Sequence, residues 1–184
     1  MVERENFVIN NYNGVWSLCH DDGSNAWLDE NNFLPWSGTK NYLGFNKTSR
    51  GNVFLYSDLS PQRLAHSNGS GLGNGWDACS MSYGTAALPT ALADVWTNNT
   101  CVCERGSSFF SFNGCNPKAP LDGNAPLFSG NTYASDDGEW LMKCGDETWN
   151  LTQAQAMGVD VGSALVPPPT VDQVVAAAHA LLHF

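Results

Sequence analysis

The chain has 184 residues and a formal net charge of −10, with 14% charged, 42% hydrophobic and 11% aromatic residues. This composition excludes a disordered chain, which needs high charge and few aromatics, and a nucleic-acid binder, which the negative charge would repel. No apolar run approaches the ~20 residues of a membrane helix. The 18 Gly and 9 Pro among recurrent Asn predict short strands separated by turns, a mostly β protein.

Residues 1–57 contain a repeat. Asn6-Phe7-Val8-Ile9 returns as Asn32-Phe33-Leu34-Pro35, Asn13-Gly14-Val15-Trp16 aligns with Asn41-Tyr42-Leu43-Gly44, and Asn25-Ala26-Trp27-Leu28 aligns with Asn52-Val53-Phe54-Leu55. The three alignments share nearly one offset, and so predict coils of three short strands each, as in a parallel β-helix. Equivalent asparagines would then stack into an amide ladder. Pairing Asn32 with Asn52 gives a shorter offset and breaks that three-part register. The other reading is an antiparallel sandwich with Asn-Gly turns. Two coils cannot bury a core alone, so further coils upstream are expected.

Residues 58–123 hold four of the six cysteines and a Gly-Ser-Asn run at 67–75, and read as a stapled excursion from the coils. Residues 124–166 carry C-terminal strands and a short helix. Asp137-Gly138 predicts a hairpin leading into Glu139–Cys144, and Asn150 with Gln153 predicts a capped helix to Met157, stopped by Gly158. In residues 167–184, Pro167-Pro168-Pro169 precedes a second capping box, Thr170 with Gln173. Helical spacing of Val171, Val174, Val175, Ala178, Leu181 and Leu182 then predicts a helix that covers the open end of the coils.

The six cysteines, Cys19, Cys79, Cys101, Cys103, Cys115 and Cys144, predict disulfides, with Cys79, Cys101, Cys103 and Cys115 the candidates in the excursion. Cys101-Val102-Cys103 lacks the second pair a zinc site needs. Sequons at Asn46, Asn68, Asn98 and Asn150 join the cysteines in predicting a secreted or cell-surface glycoprotein. The first residues show no basic segment followed by an apolar one, so the sequence reads as a fragment of a secreted protein.

His20-Asp21-Asp22-Gly23-Ser24, Gly38–Gly44, Asn46-Lys47-Thr48 and the tail from Cys144-Gly145 through Leu151–Gly158 to Asp160–Ser163 resemble secreted right-handed parallel β-helix proteins of the pectin-lyase-like class. The likeness spans about residues 6–56 and 124–175. It implies an all-β fold of right-handed solenoid coils with a small helical C-terminal cap. It also implies an extracellular protein that binds, or processes as a lyase or glycoside hydrolase, a polysaccharide. The rival is a non-catalytic structural or adhesive cell-surface protein. The polygalacturonase motifs Asn-Thr-Asp, Gly-His-Gly and Arg-Ile-Lys do not occur.

The candidate chemistry clusters at His20, Asp21 and Asp22, with Lys47 completing the catalytic set. Paired carboxyls serve glycoside hydrolysis. A calcium-dependent lyase would draw on Asp21, Asp22 and Asp29 with Lys40 or Lys47 as base, although the spacing is not that of an EF-hand and no resident cofactor is assigned. The structural reading pairs Asp21 with Lys47 of the next coil, a surface ion pair worth ~0–1 kcal/mol. Trp16, Trp27, Trp36 and Tyr42 are candidates for stacking on sugar faces, or else fill the core.

Overall fold

A computed structural model describes residues 1–9, 16–20, 24–36, 38–41, 45–56, 94–106, 110–112, 127–144 and 146–183. Its strands are short. The first sheet holds β1 (Val2–Arg4), β3 (Leu28–Glu30), β6 (Thr48–Arg50), β8 (Val95–Thr97) and β11 (Leu127–Ser129), in that order and all parallel. The second holds β4 (Phe33–Pro35), β7 (Val53–Leu55), β9 (Thr100–Cys103), β12 (Thr132–Ser135) and β15 (Ala164–Leu165), also parallel and stacked in chain order. β2 (Trp16–His20) pairs in parallel with β5 (Gly38–Asn41). β10 (Phe110–Phe112) lies parallel to β13 (Leu141–Cys144), which pairs antiparallel with β14 (Glu147–Asn150).

A two-residue corner joins β3, β6, β8 and β11 of the first sheet to the strands that follow them in the second: Asn31-Asn32, Gly51-Asn52, Asn98-Asn99 and Gly130-Asn131. The first residue of each corner has positive φ (55°, 64°, 54° and 64°), a left-handed conformation that Asn and Gly accept most readily. Glu5-Asn6 and Gly162-Ser163 repeat the corner at the two ends, with φ 53° and 80° at the first residue. The corners alternate in size as well. A Cβ on Gly51 would collide with Asn31 Oδ1, and one on Gly130 would lie 2.6 Å from Asn98 Oδ1, so an Asn corner fits beneath a Gly corner.

The asparagine ladder is real, but its register is not uniform. Val2 lies beside Leu28, Leu28 beside Thr48, Thr48 beside Val95 and Val95 beside Leu127. Along the ladder itself the sequence separations are 26 from Asn6 to Asn32, 20 to Asn52, 47 to Asn99 and 32 to Asn131. The first alignment, Asn6 with Asn32, therefore holds, and so does the pairing of Asn32 with Asn52 that a uniform coil excludes. The other two alignments fail: Trp16 lies beside Gly38, not Gly44, and Asn25 bridges Phe45, not Asn52. Corners are fixed by local chemistry, whereas the chain between them leaves the sheets and can change length. For the same reason residues 58–123 are not wholly an excursion, because β8, β9 and the corner between them are full members of the stack.

Interior rows follow from the alternation of side chains along each strand. Leu34, Phe54, Cys101 and Tyr133 of the second sheet are completely buried and cluster with Trp96 and Phe128 of the first, in which Asp29 and Ser49 are buried as well. Phe54 and Trp96 stack at 5.3 Å. The opposite face of the second sheet carries a second apolar cluster, Phe33, Leu55, Val102 and Ala134.

Both helices occur where their caps predict. α1 (Leu151–Ala156) starts at Asn150 and α2 (Val171–Leu182) at Thr170, each with a complete capping box. α2, however, does not close the end of the stack. Val174, Ala178, Leu181 and Leu182 pack on the outer face of the second sheet, while Val171 and Val175 stay exposed. Its apolar face was legible; the apolar row awaiting it was not, because that row is assembled from four coils. The hairpin also moves. Asp137-Gly138 turns the chain out of β12, which β9 and β15 already flank, and the hairpin partner of β13 is β14. No helix among the described residues is long and apolar enough to cross a membrane.

Candidate functional site

The densest polar chemistry among the described residues lies inside the coils. β2 supplies His20, β3 supplies Asp29, and the residues just before β6 and β8 supply Lys47 and Asp94. His20 Nε2 lies 2.7 Å from Asp29 Oδ2, and the Trp27 ring packs on the imidazole at 4.5 Å. Lys47 Nζ lies 3.1 Å from Asp94 Oδ2, and the Lys47 backbone N–H donates to Asp94 Oδ1 at 2.8 Å. Ser49 Oγ, on the same interior row as Asp29, accepts from Asn52 Nδ2.

Burial decides what this cluster can do. His20 is 2% exposed, Asp29 1%, Lys47 1% and Asp94 5%. Burial pushes the Asp94 carboxyl above its usual range, and Lys47 beside it offsets part of that rise. A histidine held by a carboxylate is the orienting half of a general base. General base work also requires a substrate proton within reach, and His20 and Asp29 are almost fully buried. The arrangement neutralises buried charge and ties β2 to β3 and the start of β6 to the start of β8.

The predicted catalytic residues thus divide. His20 and Lys47 lie in the core, while Asp21 and Asp22 lie outside the described residues. The predicted pairing of Asp21 with Lys47 therefore falls outside the described residues. Lys47 moreover has a buried partner in Asp94. Of the calcium set, Asp29 is taken by His20, and no three His, Cys, Asp or Glu among the described residues group as metal ligands. Lys40 lies in β5.

Among the stacking candidates, Trp36 is 45% exposed just past β4, at φ 51°. Trp27 is half-buried against His20, Trp16 lies in β2, and Tyr42 is outside the described residues. Tyr56 occupies the position equivalent to Trp36 one coil on, also with positive φ, and its hydroxyl bonds Asp136 at 3.2 Å. Asn46, Asn98 and Asn150 are exposed, as glycosylation requires, and Asn68 is outside the described residues. Cys101 is disulfide-bonded. Cys103 is completely buried, and Cys79 and Cys115 lie outside the described residues.

A second interior nest escapes sequence reading. Asp160 Oδ1 accepts from Asn131 Nδ2 at 2.9 Å and from the Ser163 hydroxyl. Burial, then the Asp160 carboxylate beside it, pushes the Tyr133 phenol well above its ordinary range. The available signal was Gly162-Ser163, a Gly-Asn corner with Ser in place of Asn.

No family model, curated protein or solved structure matches this chain.

Proposed function

We propose that this chain is a stack of coils from an extracellular right-handed parallel β-helix protein of pectin-lyase-like type. In this reading it holds polysaccharide, or supports a cell-surface layer, without cutting glycosidic bonds. The observation that carries the non-catalytic choice is the burial of His20 against Asp29 and of Lys47 in an ion pair with Asp94. The β-helix reading draws support from two parallel sheets stacked in the same chain order, the third parallel pair β2–β5, and the continuous asparagine ladder. Exposed sequons and the Cys101 disulfide suit a secreted glycoprotein. Trp36, with Tyr56 one coil away, supplies apolar faces on which sugar rings stack.

The test is to present the purified chain with acidic and neutral polysaccharides and to follow both binding and product release. Binding is expected without new reducing ends or unsaturated products, and Trp36→Ala should weaken it by about three- to tenfold. Turnover that disappears in both Asp21→Asn and Asp22→Asn, at unchanged melting temperature, would establish the enzyme reading instead.

A further inference from the structure

Trp27, Lys47 and Asp94 form a column across three successive coils. Leu28 lies beside Thr48 and Thr48 beside Val95, so the residues that precede them occupy equivalent places. The Thr48 N–H donates to Trp27 O and the Val95 N–H to Lys47 O, both at 2.8 Å, which fixes the spacing of the column. Lys47 and Asp94 thus face each other nearly fully buried, 47 residues apart in sequence.

Four parts of an acyl-transfer site meet here. The nucleophile is Lys47 Nζ, 3.1 Å from Asp94 Oδ2. The Lys47 backbone N–H donates to the other carboxyl oxygen, Oδ1, at 2.8 Å, where it can hold the charge that builds during attack. Burial favours the neutral acid of Asp94, the form that an amine attacks. The fourth part is His20, which packs on Trp27 of the column and pairs with Asp29. Its charge acts on the Asp94 carboxyl. His20 Nδ1 and Asp29 Oδ1 are buried without a hydrogen-bond partner among the described residues, so packing does not use all that this pair can do with a proton.

We infer that Lys47 and Asp94 join in an isopeptide bond that ties two coils covalently. One proton passes from the Lys47 ammonium to Asp94 Oδ2, leaving an amine beside a neutral acid. Nζ then adds to Cγ. A second proton leaves Nζ, is carried by the His20–Asp29 pair and reaches Oδ2. The Cγ–Oδ2 bond breaks and Oδ2 departs as water, while Oδ1 stays as the amide oxygen; nothing is oxidised or reduced. The contact at 3.1 Å is the pair before reaction. Condensation removes both charges from a site where each is costly to keep. The bond also closes the longest step of the stack, since Asn52 and Asn99 of the ladder are likewise 47 residues apart. It is independent of any polysaccharide.

The test is a peptide map of the full chain, purified in denaturant, refolded, then reduced, freed of any glycan, denatured and cut with trypsin. The expected result is a mass lower by one water, no cut after Lys47, and a branched fragment joining the peptides of Lys47 and Asp94. Chain held in denaturant throughout should show none of these. Lys47→Arg keeps the positive charge but cannot form the bond, so it should retain the full mass. His20→Gln should slow the appearance of the branched fragment after refolding by about 10²-fold or more. A full mass with normal cutting after Lys47 in the refolded chain means an ion pair only and overturns the inference. Loss of one water without the branched fragment also overturns it, since an Asp-Gly step such as Asp137-Gly138 would then have cyclised. If Lys47→Arg fails to fold, the branched fragment of the unaltered chain still decides. An unchanged rate in His20→Gln overturns the proton-carrying role of His20.

Discussion

Asn52 is completely buried; its Nδ2 donates to Asp29 O, Ser49 Oγ and Asn99 Oδ1, and its Oδ1 accepts both donors of Asn32. Leaving a buried polar group unpaired costs ~1–3 kcal/mol, so Asn52→Ala should lower unfolding free energy by about 3 kcal/mol or more in a denaturant titration. Asn6→Ala, at the half-buried end, should cost under about 1 kcal/mol. Lys47 carries a different risk. Folding favours the protonated form of Asp94, so this carboxyl contributes stability that is fully present below 3.8 and lost as pH rises through its raised folded value. Lys47→Met removes the offsetting cation. Its deficit should be small below pH 3.8 and reach about 3–5 kcal/mol near neutrality, while Lys47→Met with Asp94→Leu should recover most of it. Asp137 behaves oppositely. Burial alone would raise it, but the N–H groups of Glu139 and Gly106 and the Ser135 hydroxyl together hold it low. Its stabilisation is present above 3.8 and lost as pH falls through its lowered folded value. Asp137→Ala should therefore reduce the melting temperature by about 2–4 °C at pH 7 and much less in acid.

At the scale of elements, the corner and the last helix follow different rules. Gly51 combines φ 64° with a Cβ direction aimed at Asn31 Oδ1, so Gly51→Ala bears both backbone and steric cost. The backbone share is about 1–2 kcal/mol, and Asn31→Gly in the same chain should remove only the steric share, which a thermal melt of both variants separates. α2 is attached by one apolar face. Ala178→Asp should detach it, exposing Phe33, Leu55 and Val102 and raising exchange from Val171 to Leu182, while the ladder amides stay protected. The capping box at Thr170 sets where this helix starts, but packing on the second sheet holds it in place. Isolated helices of this length are marginal in water, so the detached segment should lose helicity as well.

Across the whole molecule, the sequence by itself determined what depends on neighbours in the chain. The strand-rich class follows from Asn, Gly and short apolar triplets, and each capping box is complete within a single turn of chain. The first step of the ladder was legible because Asn6-Phe7 and Asn32-Phe33 are alike. The later steps were not, since the sheets pair only the strands and the corners. Lengthening a coil from the Asn32–Asn52 step to the Asn52–Asn99 step costs about 1 kcal/mol or less in loop closure, too little to enforce a period. Only the tertiary structure decided that Lys47 meets Asp94, that His20 turns inward to Asp29, and that α2 lies on a flank. The Lys47–Asp94 and α2 contacts join segments far apart along the chain, and even His20 and Asp29, nine residues apart, meet only through the packing of β2 on β3. The candidate site shows the same division: its residue types were visible at His20 and Lys47, but their burial belongs to the stack.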